Sequence, residues 1–587
     1  MAVVKMQKVA VVAHTSEQEK LVDFLHREGV MEISDLKAPT NTDHPALGYR
    51  TSELDHVIAR LMEFATKDIL AAAEKPATDE QIEAAAQNPE VLRIVQLVHK
   101  LDHESAELKH SLHELEHGRL PTATPQNQAD EGAYFLSSSV QTDMSGFGGA
   151  AAQQEAALQA AVQHAQKDVA EKLEGITNVL RDLAKHLPLL THARHYVVWL
   201  DEKQALRESL HKTRNTVTIF GWIAKHLFEP LERKLDTMSP ATALLRVQPK
   251  ADESVPVLIK NPVWLKPFES VTTLYGLPQA HEFDPTPLLA PFFILFFGLC
   301  LTDAAYGLVL AAIMGAYLWK KKLTVSQAPL WWLLCIGGLA TFLISIPFGG
   351  WFGLSPDQAP SFMTEMRADG KIWFKGQIWN LGETPGITFF QNLSLILGLL
   401  HLSFGMLLAG FAKWFNGNKA EAFWVDWTSL VLFAACGAAM FAPAAYTNTA
   451  LYALYASLAL VVWGKGYGSP IYLRPLFGLL GLLNLAMGML SNTLSYLRLL
   501  ALGLVTGALA LAVNLVAQQI GGLFPVYIGL PITIVIYIVG HTVNIALNVL
   551  GAFIHSGRLQ FVEFFGQFFE GGGRPFAAFR RSFSKAV

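Results

Sequence analysis

The alternation of apolar and polar positions changes character near residue 287. Upstream, apolar residues recur at short periods. Residues 6–13 have the β-branched composition of a strand, Ser16 and Glu19 form a capping box before a helix at 17–27, Gly29 ends that helix, and 30–33 reads as a second strand. Residues 214–250 repeat this order, with a strand at 216–220, a helix at 223–235 and a strand at 243–247. The repeat predicts two similar α/β lobes, 1–50 and 213–286. A helical rod at 51–212 joins them. Its first helical stretch runs from 52 to 117, and Leu101, Ser105, Leu108, Leu112 and Leu115 keep the alternating four-and-three spacing of a coiled-coil seam. Its second stretch, 150–187, is rich in Ala, Gln, Glu and Lys, and 121–149 is a polar loop between them. The expected shape is a helical hairpin with the lobes near its open end or spread along it.

Downstream, the apolar runs are long enough to cross a bilayer, which needs about 20 residues. They fall at 330–353, 389–412, 425–442, 450–462, 475–519 and 526–554. Residues 291–319 fit one tilted helix or two short ones broken near Thr302 and Asp303. The run at 475–519 would be about 68 Å long as a helix, so it must tilt steeply, protrude or bend.

Charge sharpens this division. The chain has 587 residues, a formal net charge of −4 and a mean hydropathy of +0.30. Residues 1–286 carry 29 Lys and Arg against 40 Asp and Glu, whereas 287–587 carry 16 against 9. An acidic, soluble-like half therefore precedes a nearly uncharged one. A cytosolic enzyme, a disulfide-stapled secreted domain and a nucleic-acid binder are excluded, because none needs 300 nearly uncharged residues. If 291–319 crosses twice and 475–519 once, then Lys320, Lys321, Lys322, Lys413, Lys419, Lys465, Arg474 and the basic tail (Arg574, Arg580, Arg581, Lys585) share one side with the soluble half. The positive-inside rule then predicts eight crossings with both termini cytoplasmic. Three domains result: a cytoplasmic arm at 1–286, a membrane domain at 287–570 and a basic cytoplasmic tail at 571–587. The N-terminal apolar run is broken by Lys5 and Lys8 and is too short for a signal peptide.

The candidate chemistry lies in the last two apolar runs. Asn484, Gly488, Ser491, Asn492, Ser495 and Arg498 form one polar stripe, and Thr533, Tyr537, His541, Asn544, Asn548, His555 and Arg558 form another. Facing stripes line a water-accessible path or make an interhelical hydrogen-bond seam. Arg498 is different in kind. An ionised arginine at a helix centre costs about 2.5–3.5 kcal/mol on insertion scales, and it does not shed its charge. No acidic residue lies between 471 and 562, so a carboxylate partner is expected on another subunit. Arg558 is nearer the cytoplasmic end and within snorkelling reach of it. The sequence HELEH at 113–117 matches the HExxH zinc signature, but His103, His110, His113 and His117 sit opposite the leucine seam, Gly118 follows at once, and no third ligand is evident; it reads as a chance match. There is no Walker A sequence, so no catalytic ATP site is expected, and no metal or cofactor. Cys300, Cys335 and Cys436 lie far apart in apolar runs and read as small core residues.

Several stretches carry a family resemblance. LSYLRLLAL at 494–502 resembles the LSYLRLWAL motif of the a/I subunit of rotary V-type and archaeal-type ATPases. HSGRLQFVEFF at 555–565, followed by EGGG at 570–573, resembles that family's HSLRLQFVEFF…EGGG segment. Residues 256–262, 266–269, 275–278 and 284–287 resemble its junction between soluble and membrane halves, and Gly298, Asp303, Tyr306 and Gly307 its GDxGYG break. The length resembles the prokaryotic form. The resemblance implies a multi-pass subunit of the prokaryotic cell (inner) membrane. Its arm would hold peripheral-stalk (E/G-type) subunits and its membrane half would stand beside a proteolipid c/K ring bearing intramembrane carboxylates. A central-stalk socket subunit and the lipid bilayer would complete its surroundings. Protons or sodium ions would pass through two offset half-channels, coupled to ATP synthesis or hydrolysis. On the same grounds Arg498 is the essential arginine and Arg558 its partner, with Glu563 and His555 at a channel edge. Gly557 departs from the family's usual Leu. Asn548 stands where eukaryotic relatives carry an acid, so neutral groups such as Asn544 and His541 would serve the outer half-channel. A secondary transporter with a regulatory coiled coil is the competing reading; it would show a repeat within the membrane half, and none is seen.

Overall fold

A computed structural model of the chain describes residues 3–34, 47–75, 77–116, 150–250, 253–367, 370–441 and 446–581. The expected loop at 121–149, His117 and Lys585 lie outside them. The described chain divides into two compact units, one formed by 7–247 with 577–581 and the other by 3–6 with 248–576. The boundary falls at 247/248 rather than at 286, because 248–286 packs with the apolar helices.

The first unit contains β1 (Met6–His14), α1 (Gln18–Glu28) and β2 (Met31–Ile33). Helices α2 (Thr51–Met62), α3 (Lys67–Ala73), α4 (Asp79–Gln87), α5 (Pro89–Glu116), α6 (Ala150–Leu183) and α7 (Leu187–Ser209) follow, then β3 (His211–Lys212), β4 (Thr216–Ala224), α8 (Phe228–Met238) and β5 (Thr242–Arg246). The two α/β repeats do not make two lobes. They interleave into one sheet of order β2-β4-β1-β5, with β3 added to β4. Strands β1 and β5 pair antiparallel with Val9 opposite Arg246, and β2 and β4 with Met31 opposite Ile223. The physical reason is the marginal stability of an isolated strand pair; interleaving gives one apolar face, where Val9, Val11, Leu21, Leu25, Ile219, Leu231 and Leu235 are buried.

The rod also departs from expectation, since 52–117 is four helices rather than one. Thr78 and Gln81 form a capping box that starts α4, and Pro89 starts α5 where its missing N–H costs nothing. Helices α2, α3 and α4 pack on α7, while α5 packs on α6. In the predicted seam Leu101, Ser105 and Leu115 are buried and Leu108 and Leu112 half-buried. Residues 577–581 lie along the free edge of β2: the Phe579 N–H donates to the Met31 carbonyl (2.8 Å) and the Arg581 N–H to that of His26 (3.1 Å).

The second unit opens with β6 (Pro256–Val257) and α9 (Lys266–Tyr275), followed by α10 (Thr286–Leu301), α11 (Ala304–Lys321) and α12 (Pro329–Ser345). Helix α10 ends at Thr302 with φ +37°, and the Asp303 side chain caps α11 by accepting the Tyr306 N–H at 3.0 Å. Phe297 and Gly298 face Gly337, Ala340 and Ile344, so α12 runs parallel to α10; Gly307 faces Phe342 and Gly315 faces Cys335, so it runs antiparallel to α11. Residues 291–319 thus double back at 302–303.

A small hairpin, β7 (Thr364–Met366) with β8 (Ile372–Phe374), precedes α13 (Thr384–Phe415) and the one-turn α14 (Lys419–Glu421). After them come α15 (Thr428–Phe441), α16 (Thr447–Lys465), α17 (Arg474–Ser495), α18 (Leu497–Gly522) and α19 (Val526–Arg558), and β9 (Arg574–Pro575) pairs with β6. Among the described residues five helical segments are long and apolar enough to cross a membrane: 329–348, 384–415, 419–439, 474–522 and 526–567. The run expected at 475–519 is resolved by a break, since Tyr496 separates α17 from α18.

Candidate functional site

Arg498 sits in the first turn of α18, directly after that break. It is half-buried, and its Nη1 is buried without a hydrogen-bond partner. The groups nearest it come from the end of α19 and the segment that follows. His555 feels both Arg498 and Arg558. Arg558 itself is exposed, whereas Glu563 is 1% exposed. The Arg498 and Arg558 guanidinium groups and the Ser495 hydroxyl all act on the Glu563 carboxylate, yet its Oε2 accepts no hydrogen bond. Neither arginine comes within ion-pair distance of a carboxylate in the described residues.

The local backbone brings these groups together. Residues Leu559–Phe564 form a π-helical turn. Its i→i+5 closure widens the turn that links Arg558 to Glu563. Cys300 of α10 backs the cluster, with its Sγ 3.8 Å from the Ser556 hydroxyl.

A second constellation joins α11, α18 and α19. The Asn514 Nδ2 donates to the Phe352 carbonyl (2.8 Å), which leaves its Oδ1 to accept from His541 Nε2 at 3.0 Å. His541 Nδ1 then accepts from the Tyr306 hydroxyl (2.6 Å), whose oxygen accepts from Asn544 Nδ2 (2.8 Å). Asn548 Nδ2 donates to Asn544 Oδ1 (2.5 Å), and Asn548 Oδ1 accepts from Thr506 (3.0 Å). One neutral tautomer of His541 satisfies every link. The chain leads along α19 towards Ala552, His555 and Ser556.

The predicted residues are therefore split. Arg498, Arg558, His555, Glu563 and Ser495 converge, and Asn548, Asn544 and His541 form the second network. Asn484 and Ser491 are exposed on α17 and Asn492 is half-buried there; the break at Tyr496 separates their stripe from Arg498. Tyr306, Thr506 and Asn514 were missed as members of the network. The only sequence signal for them was Tyr306 in the break motif. Among the described residues no group of three or more His, Cys, Asp or Glu could hold a metal ion. A cavity of about 860 Å³, lined by Phe283, Leu408, Phe411 and Phe568 among others, lies away from both constellations.

Residues 483–581, which contain Arg498, Arg558 and Glu563, match the V-type ATPase 116kDa subunit family. The chain is also 36% identical to the A-type ATP synthase subunit I of Methanocaldococcus jannaschii over 63% of this chain and 56% of that protein. The chain is similar to subunit I of the V/A-type ATPases. Other subunit I relatives agree: that of Thermococcus kodakarensis is 31% identical over 65% of this chain and 56% of its own length. The V-type ATP synthase subunit I of Chlamydia muridarum is 26% identical over 70% and 72%. The matches to the two archaeal subunit I proteins thus span little more than half of their length.

Proposed function

We propose that this chain is the stationary membrane subunit of a rotary A/V-type ATP synthase, and that it carries protons or sodium ions past a proteolipid ring. The observation that carries the reading is the buried Nη1 of Arg498, a fixed cation in an apolar helix without a carboxylate paired to it. A ring carboxylate arriving beside Arg498 would supply the missing counter-charge and be held ionised there. The same fixed charge would bar ions from passing directly between the two half-channels. The network from Phe352 to Asn548 supports an outer half-channel, and the Glu563–Ser495 edge an inner one. Asn484, Ser491 and Asn492 would line the approach to that edge.

In this reading α10, α11, α12, α13, 422–441, α16, the α17–α18 pair and α19 make eight crossings. The unit at 7–247 lies in the cytoplasm of a prokaryotic cell and meets E/G-type peripheral stalks and a central-stalk socket subunit. The test is Arg498→Ala in the assembled complex, reconstituted into lipid vesicles. The complex is expected to hydrolyse ATP but to lose ATP-driven ion uptake; uptake at the unsubstituted rate would overturn the proposal.

A further inference from the structure

The helical hydrogen-bond pattern changes two residues before Arg498. At the break the Tyr496 N–H bonds to the Thr493 carbonyl (3.1 Å) and the Leu499 N–H to the Tyr496 carbonyl (3.0 Å), both tight i→i+3 links. Helix α17 therefore does not dictate the rotation of α18 through an unbroken i→i+4 ladder.

Something else holds that rotation. The Tyr496 ring is fully buried and projects onto α13. A Cβ on Gly398 would come within 2.6 Å of the ring, so only glycine leaves room for it. The Tyr496 hydroxyl lies 2.8 Å from Nδ1 of His401, one turn further along α13. His401 is itself fully buried. Its imidazole is clamped between Phe292 of α10 and Phe564 of the π turn, each with its ring centre 4.2 Å away. Phe296 packs edge-on to both His401 and Tyr496. Gln560, buried on the π turn, lies against the same imidazole.

Two residues along a helix turn the side chain by about 200°, so Arg498 faces away from the side on which Tyr496 is bolted. We infer that His401 and Tyr496, seated in the Gly398 notch, form a latch that fixes the rotation of α18 and so positions Arg498 against Glu563 and the ring. The inference rests on the reading of Arg498 given above and adds two positioning residues to it. The latch binds three elements at one point: α13 through His401, α18 through Tyr496 and the π turn through Phe564. A rotation of α18 that displaced Arg498 would have to break the hydroxyl–imidazole bond and drive the tyrosine ring into α13.

The test uses the complete rotary complex in lipid vesicles, with His401→Leu, His401→Asn, Tyr496→Phe and Arg498→Ala compared for ATP hydrolysis, ATP-driven uptake and passive ion leak. His401→Leu and Tyr496→Phe are expected to lower uptake by about tenfold, near the upper end of what one lost buried hydrogen bond produces, while raising passive leak. His401→Asn, which keeps a polar partner for the hydroxyl, is expected to restore most of the uptake. Uptake within twofold of the unsubstituted complex in both His401→Leu and Tyr496→Phe would overturn the latch. So would equal loss in His401→Leu and His401→Asn with no rise in leak, which is the signature of damaged packing alone. Full uptake in Arg498→Ala would instead remove the functional reading on which the latch rests.

Discussion

Arg498 and Asn548 show how differently single residues speak. The arginine was legible in the sequence because a charge in an apolar run has no bland explanation at its energetic cost. Its surroundings were not. Tyr306 lies 235 residues from His541 and His401 lies 95 from Tyr496, and no spacing rule reaches across such separations. Asn548 was visible as part of a stripe, but its bonds to Asn544 and Thr506 needed coordinates. Replacing Asn548 with Leu should leave the Asn544 Oδ1 without the Asn548 donor, while the Thr506 hydroxyl keeps only the Leu502 carbonyl as acceptor. The expected cost is about 1–3 kcal/mol of stability, read by thermal unfolding, together with reduced ATP-driven uptake. His195 gives a prediction outside the membrane segments. Burial first, then the nearby charges of Arg194 and His192, push it down from 6.5 to about 4. Between those values the unfolded chain binds more protons at this site than the folded one, so stability falls as pH drops through the window. Following Trp199 fluorescence during acid titration should show unfolding that His195→Leu shifts to lower pH.

Element by element, the boundaries that differ from expectation include some with a sequence marker and some without. The start of α5 is marked by Pro89 and that of α4 by its capping box, Thr78 with Gln81, and these two signals divide the helical stretch 52–117. The break at Tyr496 has no proline or glycine beside it, and the π turn at Leu559–Phe564 has none within it. Both arise from tertiary packing, which propensity does not encode. Deleting Val562 tests the π turn directly. Removing one residue is expected to close the segment as an α turn and to change how Leu559, Gln560 and Phe561 face α13, read as a lowered melting temperature while far-ultraviolet circular dichroism stays helical. Close helix packing offers a second test. A Cβ on Gly338 would meet the Gly307 carbonyl and the Ala311 amide nitrogen, each at 2.8 Å. Gly338→Val should therefore cost about 1–3 kcal/mol through overpacking, seen as a lowered melting temperature.

On the scale of the whole molecule, the change in sequence character lies near residue 287, whereas the compact units divide at 247/248. The α/β repeat was legible, but its pairing was not, because strand register depends on partners far apart in the chain, such as Met31 with Ile223 and Val9 with Arg246. The tail was expected to be a basic extension, and residues 577–581 instead belong to the unit formed by 7–247. Phe579 is buried there against His26, and the Arg581 guanidinium lies 5.1 Å from the Trp199 ring and pairs with Asp79. Removing 577–587 should cost the unit formed by 7–247 about 2–3 kcal/mol from the lost phenylalanine burial alone. Hydrogen exchange at β2 would report it, and unchanged protection at Met31 would contradict it.

That tail also gives the chain a timetable. Strand β1 is made first, but its partner β5 emerges some 230 residues later, a wait of roughly 10–50 s at ordinary rates of synthesis. The outer edge of β2 waits longer still. It is closed by residues 577–581, which leave the ribosome only after every apolar helix has been made. A chain halted anywhere among those helices would keep that edge open, with unpaired backbone groups beside an empty Phe579 seat. An open strand edge invites pairing with other chains, so a chain lacking residues 577–581 should self-associate more readily than one that has them.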